Sequence, residues 1–415
     1  MAELSQAAAA RPSIPKVLGR PGVAKTFALS LIARLPATAI GSLVALKVAD
    51  GHSWTAAGAI DAVIAVSLAI AGPFWARQLD RLGASRVLAG MSAVNGVVLA
   101  GMAMLHPETS LLVFAVLAVF TGASEPMHGG AMRELWDRLL HTDEERHVGY
   151  ALETASLEAL FAFSTAVFVG VIAATFGVDA GLVAAGAVGG VVGVWFALLP
   201  ALRDWHPTDD ESKGRAELIG ALRNPRARTM ALLSLTFGLH LGPIELGLPA
   251  LGDDLGSLHG AGIMLAVWGL GSMFAGLILT RIPPAPDPAR RLLFLQLWLS
   301  AWSLALLLAT DVPIAAPLLF VAGAAVAPLF TTLNGSFGRI APDEAVAELY
   351  AISLSGILVG AMAGAPLAGI LVDHVSPQAG LATAAVGPLF GIVLVLLRRH
   401  DFDPVAPADA IAPTG

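Results

Sequence analysis

RDWHPTDDESKGRAELIGALRNPRART, residues 203–229, is the longest polar stretch between apolar runs in this chain of 415 residues, and what flanks it decides the fold. It holds six basic residues, Arg203, Lys213, Arg215, Arg223, Arg226 and Arg228. An apolar run of about 20 residues is long enough for a helix to cross roughly 30 Å of hydrocarbon. Such runs precede the stretch at 24–47, 55–76, 87–105, 111–132, 149–175 and 181–202. They follow it at 229–251, 259–280, 292–310, 314–336, 346–373 and 377–398. The polar stretch therefore divides twelve spans six and six. A run such as GLVAAGAVGGVVGVWFALL (181–199) suits the core of a soluble protein; twelve in succession do not.

Composition agrees. The chain is 56% hydrophobic and 13% charged, with a mean hydropathy of +0.76, whereas soluble domains are about 25% charged. The reading is an all-α membrane protein of twelve transmembrane helices in two six-helix halves, 24–202 and 229–398. A cytoplasmic N-terminal segment (1–23), a cytoplasmic central loop (203–228) and a cytoplasmic tail (399–415) complete it. With no Cys, disulfides, thiolate metal sites and cysteine nucleophiles are excluded. MAELSQAAAARPSIPKVLGRPGVAK reads as a polar lead-in, because no short apolar core with a small-residue cleavage site follows.

Lys and Arg set the orientation. With both termini inside, 22 of the 24 basic residues fall in cytoplasmic segments; the exceptions are Arg34 and Lys47. The opposite loops carry Asp50, Glu108, Asp179, Asp253, Asp254 and Asp311. This is the positive-inside pattern of a multi-pass membrane protein. The halves echo each other at an offset of 200: LDRLGASRVL from Leu79 against LTRIPPAPDPARRLL from Leu279, and YALE at Tyr150 against YAIS at Tyr350. Six and six spans with such echoes favour a duplicated transporter of two parallel halves.

The loop after the second span, Ala76-Arg77-Gln78-Leu79-Asp80-Arg81-Leu82-Gly83-Ala84-Ser85-Arg86, resembles the cytoplasmic signature of the major facilitator superfamily (MFS). It departs from that pattern at Ala76 and at Ala84-Ser85. The resemblance implies a cytoplasmic gate in which Asp80 meets the partner half, Arg81 and Arg86 join the charge network, and Gly83 permits a tight turn. RPGVAKTFALSLIARLPATAIG, MRELWDRLL, YALETASLEAL and PIELGLPALGDDLGSLHGAG also resemble a little-characterised bacterial group within that superfamily, similar to drug and metabolite efflux transporters. The resemblance further implies that the membrane is a bacterial inner membrane, and that a central cavity is lined by helices 1, 2, 4, 5, 7, 8, 10 and 11.

A charge at a helix centre costs roughly 2.5–3.5 kcal/mol on insertion scales. This chain keeps Arg34 on helix 1, Asp61 on helix 2, Glu125 on helix 4, Glu153 and Glu158 on helix 5, and His240 and Glu245 on helix 7. All are on helices implied to line the cavity, whereas helices 3, 6, 9 and 12 have no acid or base in their central parts. Glu153 and Glu158 lie five apart, about 140° around a helix, so they do not share a face. Glu158 is taken as the cavity acid and Glu153 as a partner for Arg34 or a gate residue; a structural polar network between helices 1, 4 and 5 is the alternative. Arg34 either holds a neighbouring acid ionised or binds an anionic substrate group, and it cannot carry the proton itself. Proton-coupling candidates are therefore Glu158, Glu153, Glu125, Arg34, His240 and Glu245, with His240 open to a purely structural reading.

FGLHLGPIELGLPALG (237–252) is expected to be kinked or broken. Gly356, Gly360 and Gly364, four apart on helix 11, are expected to permit close helix packing. Asp61, Trp268, Met264, Glu158 and Arg34 are candidate cavity residues, although ordinary packing explains Trp268 and Met264 equally well. No enzyme constellation, metal spacing or phosphate-binding loop is found, so neither cofactor nor metal is expected. The leading reading is a monomeric, proton-coupled antiporter exporting a small amphiphilic or cationic compound, with protons and the lipid bilayer as its other partners and no role for nucleic acid. The alternative is proton symport, or facilitated uptake, of a nutrient or anionic metabolite.

Overall fold

The computed structural model describes residues 14–203, 224–279, 281–282, 285–337 and 343–402; the side chains of Asp80 and Glu158 lie outside that description. So do most of the N-terminal segment, the central loop and the tail. Every regular element among the described residues is helical.

Among the described residues, eleven helices are long and apolar enough to cross a membrane. They are α1 (Val23–Ala49), α2 (Trp54–Leu82), α3 (Ala84–Ala103), α4 (Leu111–Leu139), α6 (Val178–Ala197), α7 (Pro225–Asp254), α8 (Leu258–Leu279), α9 (Pro288–Leu308), α10 (Val312–Gly335), α11 (Asp343–His374) and α12 (Pro377–Leu397). A further helix, α5, occupies 143–176; its apolar part is Phe163–Phe176. Polar residues start several of these helices: Ser53, Thr142, Asn224, Asp287, Asp311 and Ser376 each accept an N–H of the first turn. Gly83 has φ +87°, so the turn from α2 to α3 uses a conformation that side chains rarely adopt.

Each half has its own apolar interior. Phe114, Phe168, Trp136 and Phe196 are fully packed in the first half, and Phe337, Leu299, Leu319 and Met264 in the second. Val97, Leu112, Phe176, Val191 and Leu397 instead project outward. In a bilayer those side chains meet lipid tails, and the helices satisfy their own backbone groups.

The halves repeat one packing plan. Gly122 of α4 lies against the Ile64 carbonyl of α2, and Gly323 of α10 lies against the Trp268 carbonyl of α8. Between halves, α2 crosses α11 where Gly58 meets Ala365 and Gly369 meets Trp54, and α5 crosses α8 where Gly170 meets Gly262. These crossings close the face that the charge distribution assigns to the outside.

Among the described residues, three helices are broken. α1 stops at Arg34 and resumes at Ala37, α4 stops at Ala123 and resumes at His128, and α10 stops at Gly323 and resumes at Val326. α7, where the Gly and Pro content predicts a kink or break, runs through Pro243 and Pro249 as one 30-residue helix. Its glycines are used for packing instead: Gly238 faces the Ile357 carbonyl and Gly242 the Ala361 carbonyl of α11. Gly356, Gly360 and Gly364 return the contact against Ala231, Leu235 and Pro243.

Candidate functional site

Two of the breaks face each other. Pro36 has no N–H, and its ring would crowd the carbonyl four residues back, Ile32; that carbonyl accepts from the Leu35 N–H at 3.2 Å. In α4, Pro126 has the same effect, and neighbouring helices take up the carbonyls released. Asn95 of α3 donates to Thr121 at 2.9 Å, and the Trp75 indole of α2 donates to Ala123 at 2.6 Å. The unwound turn therefore has partners for its backbone, as a break within a membrane requires. Between the breaks lies a cavity of about 20 Å³ lined by Arg34, Pro36, Asn95, Glu125, Pro126 and His128, which is room for one water.

Arg34 ends the first part of α1 and reaches α5. Its Nη1 donates to Glu153 Oε1 at 2.5 Å, and its Nε to the Ser30 carbonyl at 3.2 Å. Both partners are buried, at 9% and 2% exposure. Arg34 Nη2 and Glu153 Oε2 have no hydrogen-bond partner among the described residues. His128, beside this pair, shares a 3.1 Å hydrogen bond with Ser92 of α3 and packs edge-on against Phe196.

Asp61 and Glu245 belong to a second group, and α1 brings them together. A Cβ at Gly41 would sit 2.9 Å from Asp61 Oδ1, so the Asp61 carboxyl lies directly against α1 at Gly41. The next residue, Ser42, donates its hydroxyl to the Glu245 carbonyl at 3.2 Å. Asp61 and Glu245 thus border adjacent residues of α1, one from each half. Asp61, Glu125 and Glu245 are all partly exposed, and none of their carboxyl groups has a hydrogen bond or ion pair among the described residues.

The remaining candidates are placed elsewhere. His240 is fully buried and shares Nδ1 with the Ala384 carbonyl of α12 at 3.0 Å, which ties α7 to α12. Met264 and Trp268 pack with Ile244, Leu248 and Leu319 inside the second half rather than lining an opening. Glu158 lies on α5, five residues beyond Glu153. Arg81 and Arg86 are exposed, with no ion pair among the described residues.

Sequence reasoning missed the clasp at the predicted outer face. Asp373, near the end of α11, accepts from the Trp54 N–H at 2.9 Å, the Thr55 N–H at 2.8 Å and the Thr55 hydroxyl at 2.6 Å. A carboxylate from one half thus caps a helix of the other. The sequence signal was the helix start Ser53-Trp54-Thr55, with no indication of its partner 318 residues away. Lys47, one of two exceptions to the charge pattern, is buried and neutralised by Asp179 at 2.6 Å. A cavity of about 530 Å³ opens at this face, bordered by Lys47, Asp50, Trp54, His106 and Asp253. Among the described residues no cluster of His, Asp and Glu could hold a metal ion.

Two six-helix halves, closed together at one face and carrying acids on broken or closely apposed helices, define a membrane transporter rather than an enzyme. A family model of the Major Facilitator Superfamily matches residues 26–295 and again 244–414, and the chain belongs to that superfamily. No curated protein sequence matches it. Among solved structures it is similar to a bacterial homolog of the human lysosomal transporter Spinster, in an inward-facing and unoccupied conformation. That similarity is 13% identity over 92% of this chain and 98% of the other, with a TM-score of 0.70. The nucleoside transporter NupG is similar at 15% identity over 92% and 99%, TM-score 0.68. A POT family transporter in complex with 5-aminolevulinic acid is similar at 14% over 93% and 96%, TM-score 0.66. At these identities the likeness is one of fold.

Proposed function

We propose that the chain is a proton-coupled antiporter that exports a small amphiphilic, cationic compound across a bacterial inner membrane. It acts as a monomer with both termini in the cytoplasm, by alternating access between its halves. One observation carries the reading: Glu153 takes up the charge of Arg34, the sole base among the central candidates apart from histidine. The described central groups left without a partner, Asp61, Glu125 and Glu245, are then all acids. A cation and a proton compete for such acids, and that competition is what exchange requires. A proton entering from outside displaces the cation, and a cation binding from inside displaces the proton.

A second reading, symport of an anionic metabolite, is favoured by Arg34 Nη2, which has no partner among the described residues and belongs to a side chain bordering the cavity between the breaks. Purified protein in liposomes with an internal pH dye separates the two. With cations on the cytoplasmic side, antiport moves protons opposite to the compound and gives a pH change of one sign. Symport gives the other sign and responds to anions. If neutralising Asp61, Glu125, Glu153, Glu158 and Glu245 one at a time leaves coupling intact throughout, the proton-carrier reading fails.

A further inference from the structure

We infer that Asp61 and Glu245 form one proton-binding site split between the two halves, and that its charge sets whether the predicted outer face is closed. The inference rests on the proton-coupled reading above and names the site of coupling.

The geometry is that of a divided site. Asp61 comes from α2 in the first half and Glu245 from α7 in the second, and they border adjacent residues of α1, Gly41 and Ser42. α1 acts as the wall between them. Its Gly41 leaves space for the Asp61 carboxyl, and Ser42 holds the backbone of Glu245. The site sits beneath the closed crossing of α2 with α11, seven residues along α2 from the Trp54 amide that Asp373 caps. Opening that face separates the halves and hence the two acids. Closing it brings them together.

Neighbouring charges do not relieve the pair. Along α1, no ionisable residue lies between Arg34, held by Glu153, and Lys47, held by Asp179. α4 adds another acid, Glu125, and α5 adds Glu153 and Glu158. α8 from 260 to 279, α11 from 352 to 372 and α12 from 377 to 397 contain no acid, base or histidine. On α7 itself, His240 is turned to Ala384. Two carboxylates on either side of the same turn of α1 repel each other when both are ionised, and one proton removes the repulsion. Both acids are partly exposed.

The cycle follows. A proton taken from outside lets the acids approach, and the outer face closes. Inside, a cation held at Glu125 drives the proton off the pair to the cytoplasm, and the restored repulsion between Asp61 and Glu245 opens the outer face. The cation leaves, and the pair is protonated again.

The chain has no Cys, so a pair of spin labels can be placed without background. Met104→Cys and Val375→Cys, both exposed at the predicted outer face and one in each half, report its opening by distance measurement in lipid nanodiscs without substrate. The wild-type background is expected to be closed at pH 5 and to gain a longer-distance population by pH 8. Asp61→Asn and Glu245→Gln, each alone, are expected to stay closed at pH 8. The double variant should match either single one, because removing one charge already abolishes the repulsion. Single variants that open with pH as the wild type does overturn the inference, and so does a wild-type distance insensitive to pH. Liposome proton movement is read separately. Coupling that survives while the distances do not respond removes this site but leaves the antiport reading standing. Loss of proton movement for every cation tested removes the antiport reading.

Discussion

Asp373 closes the predicted outer face by capping Thr55: one carboxylate of α11 takes the first two amides of α2 and the Thr55 hydroxyl. Capping bonds are worth about 0.5–2 kcal/mol, and this one exists only while the halves touch. Asp373→Ala is therefore expected to favour the open face by about 1–2 kcal/mol, roughly a five- to thirty-fold shift in the equilibrium. Asp373→Asn, which keeps one acceptor, shifts it less. Labelling of a single cysteine placed beneath the crossing measures the change; unchanged labelling rates would show that the clasp does not hold the gate.

The α7–α11 contact should tolerate no added carbon. At Gly360 a Cβ would lie 2.1 Å from the Leu235 carbonyl oxygen, a backbone atom without freedom to move away. Gly360→Ala is expected to destabilise by about 1–3 kcal/mol through overpacking. Gly90 of α3 has nothing within 4 Å of the same position, so Gly90→Ala should be neutral or stabilising by about 0.4–1 kcal/mol. Thermal unfolding in one detergent compares the two directly. Equal effects would mean that the crossing is looser than it looks.

These contacts show what patterning carries and what it omits. Apolar length located the spans because a helix must match the bilayer, and Lys and Arg proposed their orientation. The Gly356-Gly360-Gly364 stripe was legible because small residues at a helical spacing have few other uses. Breaks were harder. Pro126 ends a helix because Asn95 and Trp75 wait nearby for the released carbonyls, whereas Pro243 sits in a helix packed along its length against α11. The sequence shows both prolines and neither set of neighbours. Met264 and Trp268 lie on a helix apolar all round, where composition does not separate the side facing a core from the side facing a cavity.

At the foot of α5 the Arg20–Glu145 pair gives a pH-dependent element outside the apolar run. The Arg20 hydrogen bond, at 2.5 Å, is the main influence, and with help from the His141 amide it outweighs burial to hold the Glu145 carboxyl below its ordinary value of 4.5. A carboxylate with a lowered folded value contributes stability that is fully present above the ordinary value. That contribution is lost as pH falls through the lowered one. Wild-type protein and Glu145→Gln should therefore differ by a constant amount from neutral pH to about pH 4.5 and converge below it. Thermal unfolding as a function of pH tests this; a difference that persists at low pH would assign the effect to packing.

The Arg34–Glu153 pair decides between the two transport readings, because its structural and functional roles separate on mutation. Removing one partner of a buried pair strands the other charge and costs about 3–5 kcal/mol, whereas an apolar replacement of both is often neutral or stabilising. Arg34→Met and Glu153→Leu alone are expected to lower stability by about that amount, and the double variant should recover most of it. In the antiport reading the pair is electrically silent, so the folded double variant keeps cation binding. Glu153→Gln alone leaves an unbalanced positive charge near Glu125 and weakens cation binding. In the symport reading Arg34 touches the cargo, so the double variant is stable but binds no anion and transports nothing. Stability recovered together with cation transport supports export of a cation; stability recovered without any transport moves the assignment to an anion held by Arg34.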